Sequence, residues 1–242
     1  LGLQIEADGV KCIKRRGLLK LVQMESGNEF LTKTAIVTAG GEPRKLEVPG
    51  EEEFTGRGVS YCAICDGAFF QGQEIAVVGG GDAAMEEALF LTRFASKVHI
   101  LHRRAAFRAQ SLLLDRVRGN PKVQIHRNTT VESIHGADAV DYIALRRDSR
   151  EERLEVSGLF VFVGFIPNTD LFCGHVDRDE YGYVTTDSNM ATSVRGIYAA
   201  GDIRSQITHQ ITTAVGDGTT AAIAAQRYIE HMPERLEVAW SA

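Results

Sequence analysis

The sequence predicts an α/β protein with parallel strands, and three observations carry that prediction. A short apolar run at residues 75–78 is closed by Gly79-Gly80-Gly81 and followed by a helical pattern over 83–94, with Met85, Leu89 and Phe90 near one face. A second strand pattern comes next, at 97–102, so that strand, helix and strand follow one another at the spacing of a crossover unit. The strand-then-glycine arrangement recurs at Gly196-Ile197-Tyr198-Ala199-Ala200-Gly201-Asp202, ahead of a long Ala-rich helix over 212–231 with Gly216 and Gly218 near its start.

Each remaining element follows from local pattern. Residues 18–24 and 30–38 are apolar and β-branched on either side of Glu25-Ser26-Gly27-Asn28, which predicts a hairpin. Thr38-Ala39-Gly40-Gly41-Glu42-Pro43 breaks that pattern, and Pro49-Gly50 with the acidic Glu51-Glu52-Glu53 reads as a surface crossing into a second domain. A helix is expected over 110–117, and short strands at 123–126, 130–134, 140–147 and 154–156. A buried strand at 159–165 ends at Ile166-Pro167-Asn168-Thr169, a second crossing that returns the chain to its first domain. Residues 1–34 hold no helix or strand complete enough to open a domain, and the chain starts at Leu1; it is expected to lack its natural N-terminus.

Composition narrows the function class. The 242 residues, 44% hydrophobic and 24% charged, suffice for two modest domains or one large one. A net charge of -5 without any long basic run gives no expectation of nucleic-acid or polyanionic membrane binding, although a local anion site remains open. No apolar run approaches the ~18 residues of a membrane span, and no signal-peptide layout opens the chain, so a cytoplasmic protein is expected. Four cysteines do not make a disulfide scaffold; Cys12 and Cys173 read as small core residues. The seven histidines lack ligand spacing and no metal is expected; only His209, beside Gly201-Asp202, stands out.

Three motifs bear chemistry. Gly79, Gly81 and Ala84 form a Gly-x-Gly-x-x-Ala turn that leads through Asp82 and Ala83 into a helix, a turn whose glycines let backbone N–H groups approach a pyrophosphate. The next strand ends in His102-Arg103-Arg104, with Arg108 a turn further on. A carboxylate there would bind a ribose 2′-OH, whereas arginines accept a 2′-phosphate, so NADPH is expected over NADH; a solvated basic surface is the alternative. Cys62 and Cys65 can close a small, rapidly exchanging disulfide. A zinc site would need four ligands, and neither Cys12 nor Cys173 has a partner at knuckle spacing. Asp66 follows the pair directly, placed either as a proton carrier or as a turn residue before Gly67.

With these parts in this order, the chain resembles the low-molecular-weight, prokaryotic-type thioredoxin reductases. The resemblance covers nearly the whole chain: Thr38-Ala39-Gly40, Cys62-Ala63-Ile64-Cys65-Asp66, the turn and helix from Gly79, His102-Arg103-Arg104 through Phe107-Arg108-Ala109, the segment from Gly164 to Asn168, Ala200-Gly201-Asp202, and His209-Gln210-Ile211-Thr212. It implies two Rossmann-like dinucleotide-binding domains in three layers, with an NADPH domain (46–165) inserted into an FAD domain (1–45 and 166–242) and joined to it by two crossing strands. It further implies electron flow from NADPH to FAD, to the Cys62–Cys65 disulfide, and to thioredoxin, with the domains rotating between steps. By position Cys65 is the flavin-proximal thiol, Cys62 attacks the thioredoxin disulfide and Asp66 moves protons. Asp202 would meet the ribityl or phosphate region of the flavin, and Gln210 and Ile211 its ring edge; Gly201 and His209 count as further cofactor-binding residues, although the family more often has Arg where His209 stands. A homodimer formed through the FAD domain is implied as well.

One feature departs from the family. Nothing before Thr38 supplies the opening Gly-x-Gly-x-x-Gly turn that holds the ADP half of FAD, so a missing N-terminal FAD-binding segment is expected. Two other functions stay open at this level: the same fold reducing another disulfide, such as a peroxidase partner or a glutaredoxin-like protein, and a flavin-free NADPH-binding remnant.

Overall fold

The computed structural model describes Gly2 and residues 4–233, and the chain divides into two compact units, Leu1–Glu42 with Ile166–Ala242, and Pro43–Phe165. The chain ends assigned above to the FAD domain, Leu1 and residues 234–242, lie outside the described residues, as does Leu3.

The first unit opens with β1 (Val10–Arg16), β2 (Leu19–Met24) and β3 (Glu29–Thr32), an antiparallel sheet in that order. The hairpin turn at residues 25–28 joins β2 to β3, while β1 escapes a sequence reading. Only Cys12 and Ile13 of β1 are buried, and a register shift between Val10 and Cys12 removes the two-residue alternation that marks a half-buried strand. The run expected at 30–38 is two strands: β4 (Ala35–Val37) follows a break at residues 33–34. β5 (Gly41–Pro43) leads out of the unit.

The second unit is built on a parallel sheet. β6 (Val59–Ser60) precedes a four-residue helix, α1 (Ala63–Asp66); β7 (Glu74–Gly79), α2 (Asp82–Leu91) and β8 (Lys97–Leu101) form the crossover unit; α3 (Ser111–Arg118) and β9 (Val123–His126) extend it. β10 (Thr129–Gly136), β11 (Val140–Arg147) and β12 (Arg150–Glu155) form a separate antiparallel sheet. β13 (Gly158–Phe162) then returns between β6 and β7, giving the order β6-β13-β7-β8-β9 with every pair parallel. Its strands are near-continuous apolar runs because helices and the second sheet cover both faces. Met85, Ala88 and Leu91 pack from α2 on one side, and Ile143 and Leu145 of β11 on the other.

The acidic run at 51–53 lies at the surface only in part, with Glu52 and Glu53 exposed. Glu51 is buried, and its carboxylate accepts from Leu46 N (2.8 Å), Glu47 N (2.7 Å) and the Tyr61 hydroxyl (2.9 Å). A buried carboxylate is tolerated where donors fill its oxygens. Burial, and then this hydrogen bond, push Tyr61 up to about 12.

β14 (Phe165–Pro167) pairs with β5, and the first unit is completed by a short 3-10 turn (Asp170–Phe172), β15 (Ile197–Ala199) and α4 (Ile211–Glu230). β15 lies parallel to β4, and Tyr198 and Ala200 pack against Ala221 and Ala225 of α4. Lys20 is fully buried here: its ammonium donates to the carbonyls of Leu18 and Lys33 and to the Tyr228 hydroxyl, three acceptors for three donors.

Candidate redox and nucleotide sites

Cys62 and Cys65 are joined as a disulfide, their Cα atoms 5.3 Å apart. The extended backbone of Cys62 (φ -140°, ψ 102°) starts α1, and its sulfur accepts the Cys65 N–H at 3.2 Å. Cys65 is exposed and Cys62 half-buried, and Ile64 and Phe69 stand exposed beside them. Buried Ser60, at the end of β6, organises this turn. Its hydroxyl oxygen accepts the Cys62 N–H at 3.1 Å, and its proton is directed to Oδ2 of Asp66 at 2.7 Å. Asp66 is therefore held in place relative to the cysteine peptide.

The glycine turn lies at the carboxyl edge of the same sheet, between β7 and α2. A Cβ on Gly79 would come within 2.6 Å of the Phe162 carbonyl oxygen and against the Ala84 methyl, so this glycine serves close strand–helix packing. A Cβ on Gly81 would meet nothing, because Gly81 faces open space at the start of α2. That opening, below free N–H groups at a helix N-terminus, fits a pyrophosphate. Asp82 does not face it freely: its two oxygens accept Gln110 N (2.8 Å) and Gln110 Nε2 (2.9 Å), tying α2 to the start of α3.

β8 ends beside this turn, with Leu101 paired to Val78. His102 stacks on Phe107 (4.6 Å between ring centroids) and contacts the Ala106 carbonyl at 3.0 Å, which curls the following loop. The loop returns to the glycines, where Arg108 N donates to Gly80 O at 2.8 Å. Arg103, Arg104 and Arg108 are all exposed, and none forms an ion pair among the described residues. Three guanidiniums without ion pairs, beside an open glycine turn, suit an anion such as a phosphate group.

In the first unit, Gly201 follows β15 with φ 77°, a conformation glycine adopts without strain. Its N–H donates to Asp217 (3.1 Å), which also receives Arg204 at 3.1 Å, and Gln206 Nε2 donates to the Gly201 carbonyl at 3.2 Å. Asp202 presents a buried Oδ1 that has no hydrogen-bond partner among the described residues. His209 stacks on Tyr183 (5.3 Å), Gln210 caps α4 with its N–H accepted by Thr213 Oγ1 at 3.2 Å, and Ile211 is 83% exposed at the first helical position. A buried acceptor awaiting a donor, next to an exposed apolar helix start, suits an amphipathic, hydroxyl-bearing ligand such as a flavin nucleotide.

The model of the pyridine nucleotide-disulphide oxidoreductases matches residues 2–218. A thioredoxin reductase of Listeria innocua is 47% identical over 224 residues, covering 87% of this chain and 70% of that protein, and one of Bacillus subtilis is 46% identical over 216 residues, covering 86% and 67%. The chain belongs to the thioredoxin reductase family. Its fold superposes on the thioredoxin reductase of Streptococcus pyogenes with a TM-score of 0.88 at 42% identity, covering 93% of this chain and 74% of that one. Membership implies a flavin and a nicotinamide nucleotide, and the open Gly81 turn and the buried Asp202 oxygen fit them.

Sequence reasoning overlooked three residues that hold these sites in place. Ser60 gives no signal because its partners are set by the turn geometry of α1. Asp217 has one: an acid between Gly216 and Gly218 in an Ala-rich helix marks a face packed against a loop. Gln110 follows the arginine loop, and its sequence context marks only a helix start. The sulfurs of Cys12 and Cys173, expected as separate small core residues, are bonded to each other.

Proposed function

We propose that the chain is a thioredoxin-disulfide reductase, taking electrons from NADPH through FAD to the Cys62–Cys65 disulfide and on to thioredoxin. The observation that carries this reading is a solvent-facing disulfide with a fixed carboxylate beside it, in the same unit as an open glycine turn ringed by unpaired arginines. When bound, the nicotinamide nucleotide would supply a hydride and the flavin a two-electron relay to the disulfide.

Gly79, Gly81, Asp82 and Ala83 shape the pyrophosphate turn, Gly81 by its open face and Asp82 through Gln110. Arg103, Arg104 and Arg108 select the 2′-phosphate. Gly201, Asp202, His209, Gln210 and Ile211 would hold the flavin, with Asp202 Oδ1 available to accept from one of its hydroxyls. Cys65 takes the electrons. Cys62 then attacks the acceptor disulfide, forming a mixed disulfide that the Cys65 thiolate resolves, while Asp66, held by Ser60, carries the protons. The same reading takes the protein to be a cytoplasmic homodimer. Among the described residues no helix is long and apolar enough to cross a membrane.

Cys65→Ser tests the pathway. NADPH affinity is expected to be unchanged while NADPH-dependent reduction of thioredoxin disulfide falls to background; turnover at the wild-type rate would remove this pair as the carrier.

A further inference from the structure

Cys12 and Cys173 form a second disulfide, 161 residues apart in sequence with Cα atoms 5.9 Å apart, in the unit that does not contain Cys62 and Cys65. That Cα separation lies inside the range a disulfide spans. The backbone at Cys173 is more telling. It is left-handed (φ 50°, ψ 34°), a conformation unfavourable for a residue with a Cβ, and Gly174, which adopts it freely, comes next (φ 77°). The turn is closed by Cys173 N donating to the Asp170 carbonyl at 2.9 Å, and it aims the Cys173 sulfur at β1, 4.0 Å from the Lys11 carbonyl oxygen. A strained cysteine beside a glycine indicates that the side chain itself is needed at this position.

The two sulfurs are unequal. Cys12 is 3% exposed, beside the core residue Ile13, whereas Cys173 lies open to solvent. The bond also joins the chain segment before the inserted unit to the segment after it, closing the first unit covalently.

We propose that Cys12 and Cys173 are a second thiol–disulfide couple, addressed by external dithiols at Cys173, that latches the first unit. A dithiol's thiolate attacks Cys173 Sγ, the bond to Cys12 breaks, and Cys12 leaves as a thiolate that takes up a proton. The second thiol of the reductant then displaces Cys173, which is protonated in turn. The dithiol ends as a disulfide, and the protein has gained two electrons and two protons. A leaving sulfur buried in apolar surroundings is a poor thiolate, so this couple exchanges more slowly than Cys62–Cys65. Nothing in this step depends on thioredoxin being the acceptor at the other pair.

Air-oxidised protein, alkylated without reductant and digested with trypsin, should yield peptide 12–14 disulfide-linked to peptide 154–178. Under graded dithiothreitol, Cys62 and Cys65 should label first and Cys173 and Cys12 at least tenfold later. Oxidised wild type should melt roughly 5–15 °C above both the dithiothreitol-reduced protein and the Cys12→Ser/Cys173→Ser double variant. Reduction of the wild type keeps the test valid where the double variant folds poorly, and a Cys62→Ser/Cys65→Ser background isolates the second couple. Recovery of Cys12 and Cys173 as alkylated free thiols from the oxidised protein would overturn the couple, and identical melting of the oxidised and reduced forms would overturn the latch.

Discussion

Single side chains in this protein separate folding from binding within one turn. Gly79 and Gly81 look equivalent in sequence, but a Cβ on Gly79 would strike the Phe162 carbonyl at 2.6 Å and one on Gly81 would meet nothing. Gly79→Ala is therefore expected to cost about 1–3 kcal/mol of stability by overpacking, read by urea unfolding. Gly81→Ala should leave the unfolding midpoint in place and weaken NADPH, read by calorimetry, because the methyl occupies space meant for the pyrophosphate. Arg103→Gln with Arg104→Gln should weaken NADPH far more than NADH, each lost charge-assisted bond being worth ~1.5–3 kcal/mol; equal losses for the two cofactors would undo the 2′-phosphate assignment. Ser60→Ala removes the donor to Asp66 and the acceptor for the Cys62 N–H. Disulfide turnover is expected to fall roughly tenfold, with an altered pH profile for alkylation of reduced Cys62 and unchanged NADPH affinity.

Elements were legible wherever their pattern is local. The crossover unit and the β2–β3 hairpin follow from apolar runs punctuated by glycine, whereas β1 and β12 carry charged residues on exposed faces and lack alternation. The sheet also conceals a network that periodicity cannot show. His99 Nε2 meets Glu74 at 3.0 Å and its Nδ1 meets His126 at 3.0 Å, while the Arg147 guanidinium lies against His126. Burial, with the charge of Arg147 and neighbouring His99 and Lys97, holds His126 down to about 4, and burial lowers His99 as well. A histidine neutral in the folded state takes up a proton on unfolding below its ordinary value near 6.5. Stability should therefore fall as the pH drops from about 6.5 to about 4, by an amount of order 1–3 kcal/mol, and this group contributes no slope above that window. Thermal melts across that range should show the slope, and His126→Gln should flatten it; an unchanged slope would place the titration elsewhere.

Over the whole molecule, the sequence makes short contiguous motifs legible and hides whatever is assembled across distance. The disulfide centre, glycine turn and arginine cluster each occupy a few consecutive residues, so composition and spacing suffice to find them. Asp217 acts through Gly201 and Arg204, and Cys12 is bonded to Cys173 across an inserted unit; no periodicity encodes such partners. The same distinction divides the two disulfides, a partly exposed pair within one helical turn and a half-buried pair closing the other unit. The most direct test of the electron path is to incubate the protein anaerobically with FAD and one equivalent of NADPH, quench by alkylation, and map the labelled cysteines. Two new thiols at Cys62 and Cys65, with Cys12 and Cys173 still linked, are the expected result. Consumption of NADPH with Cys62 and Cys65 still disulfide-bonded would contradict the account.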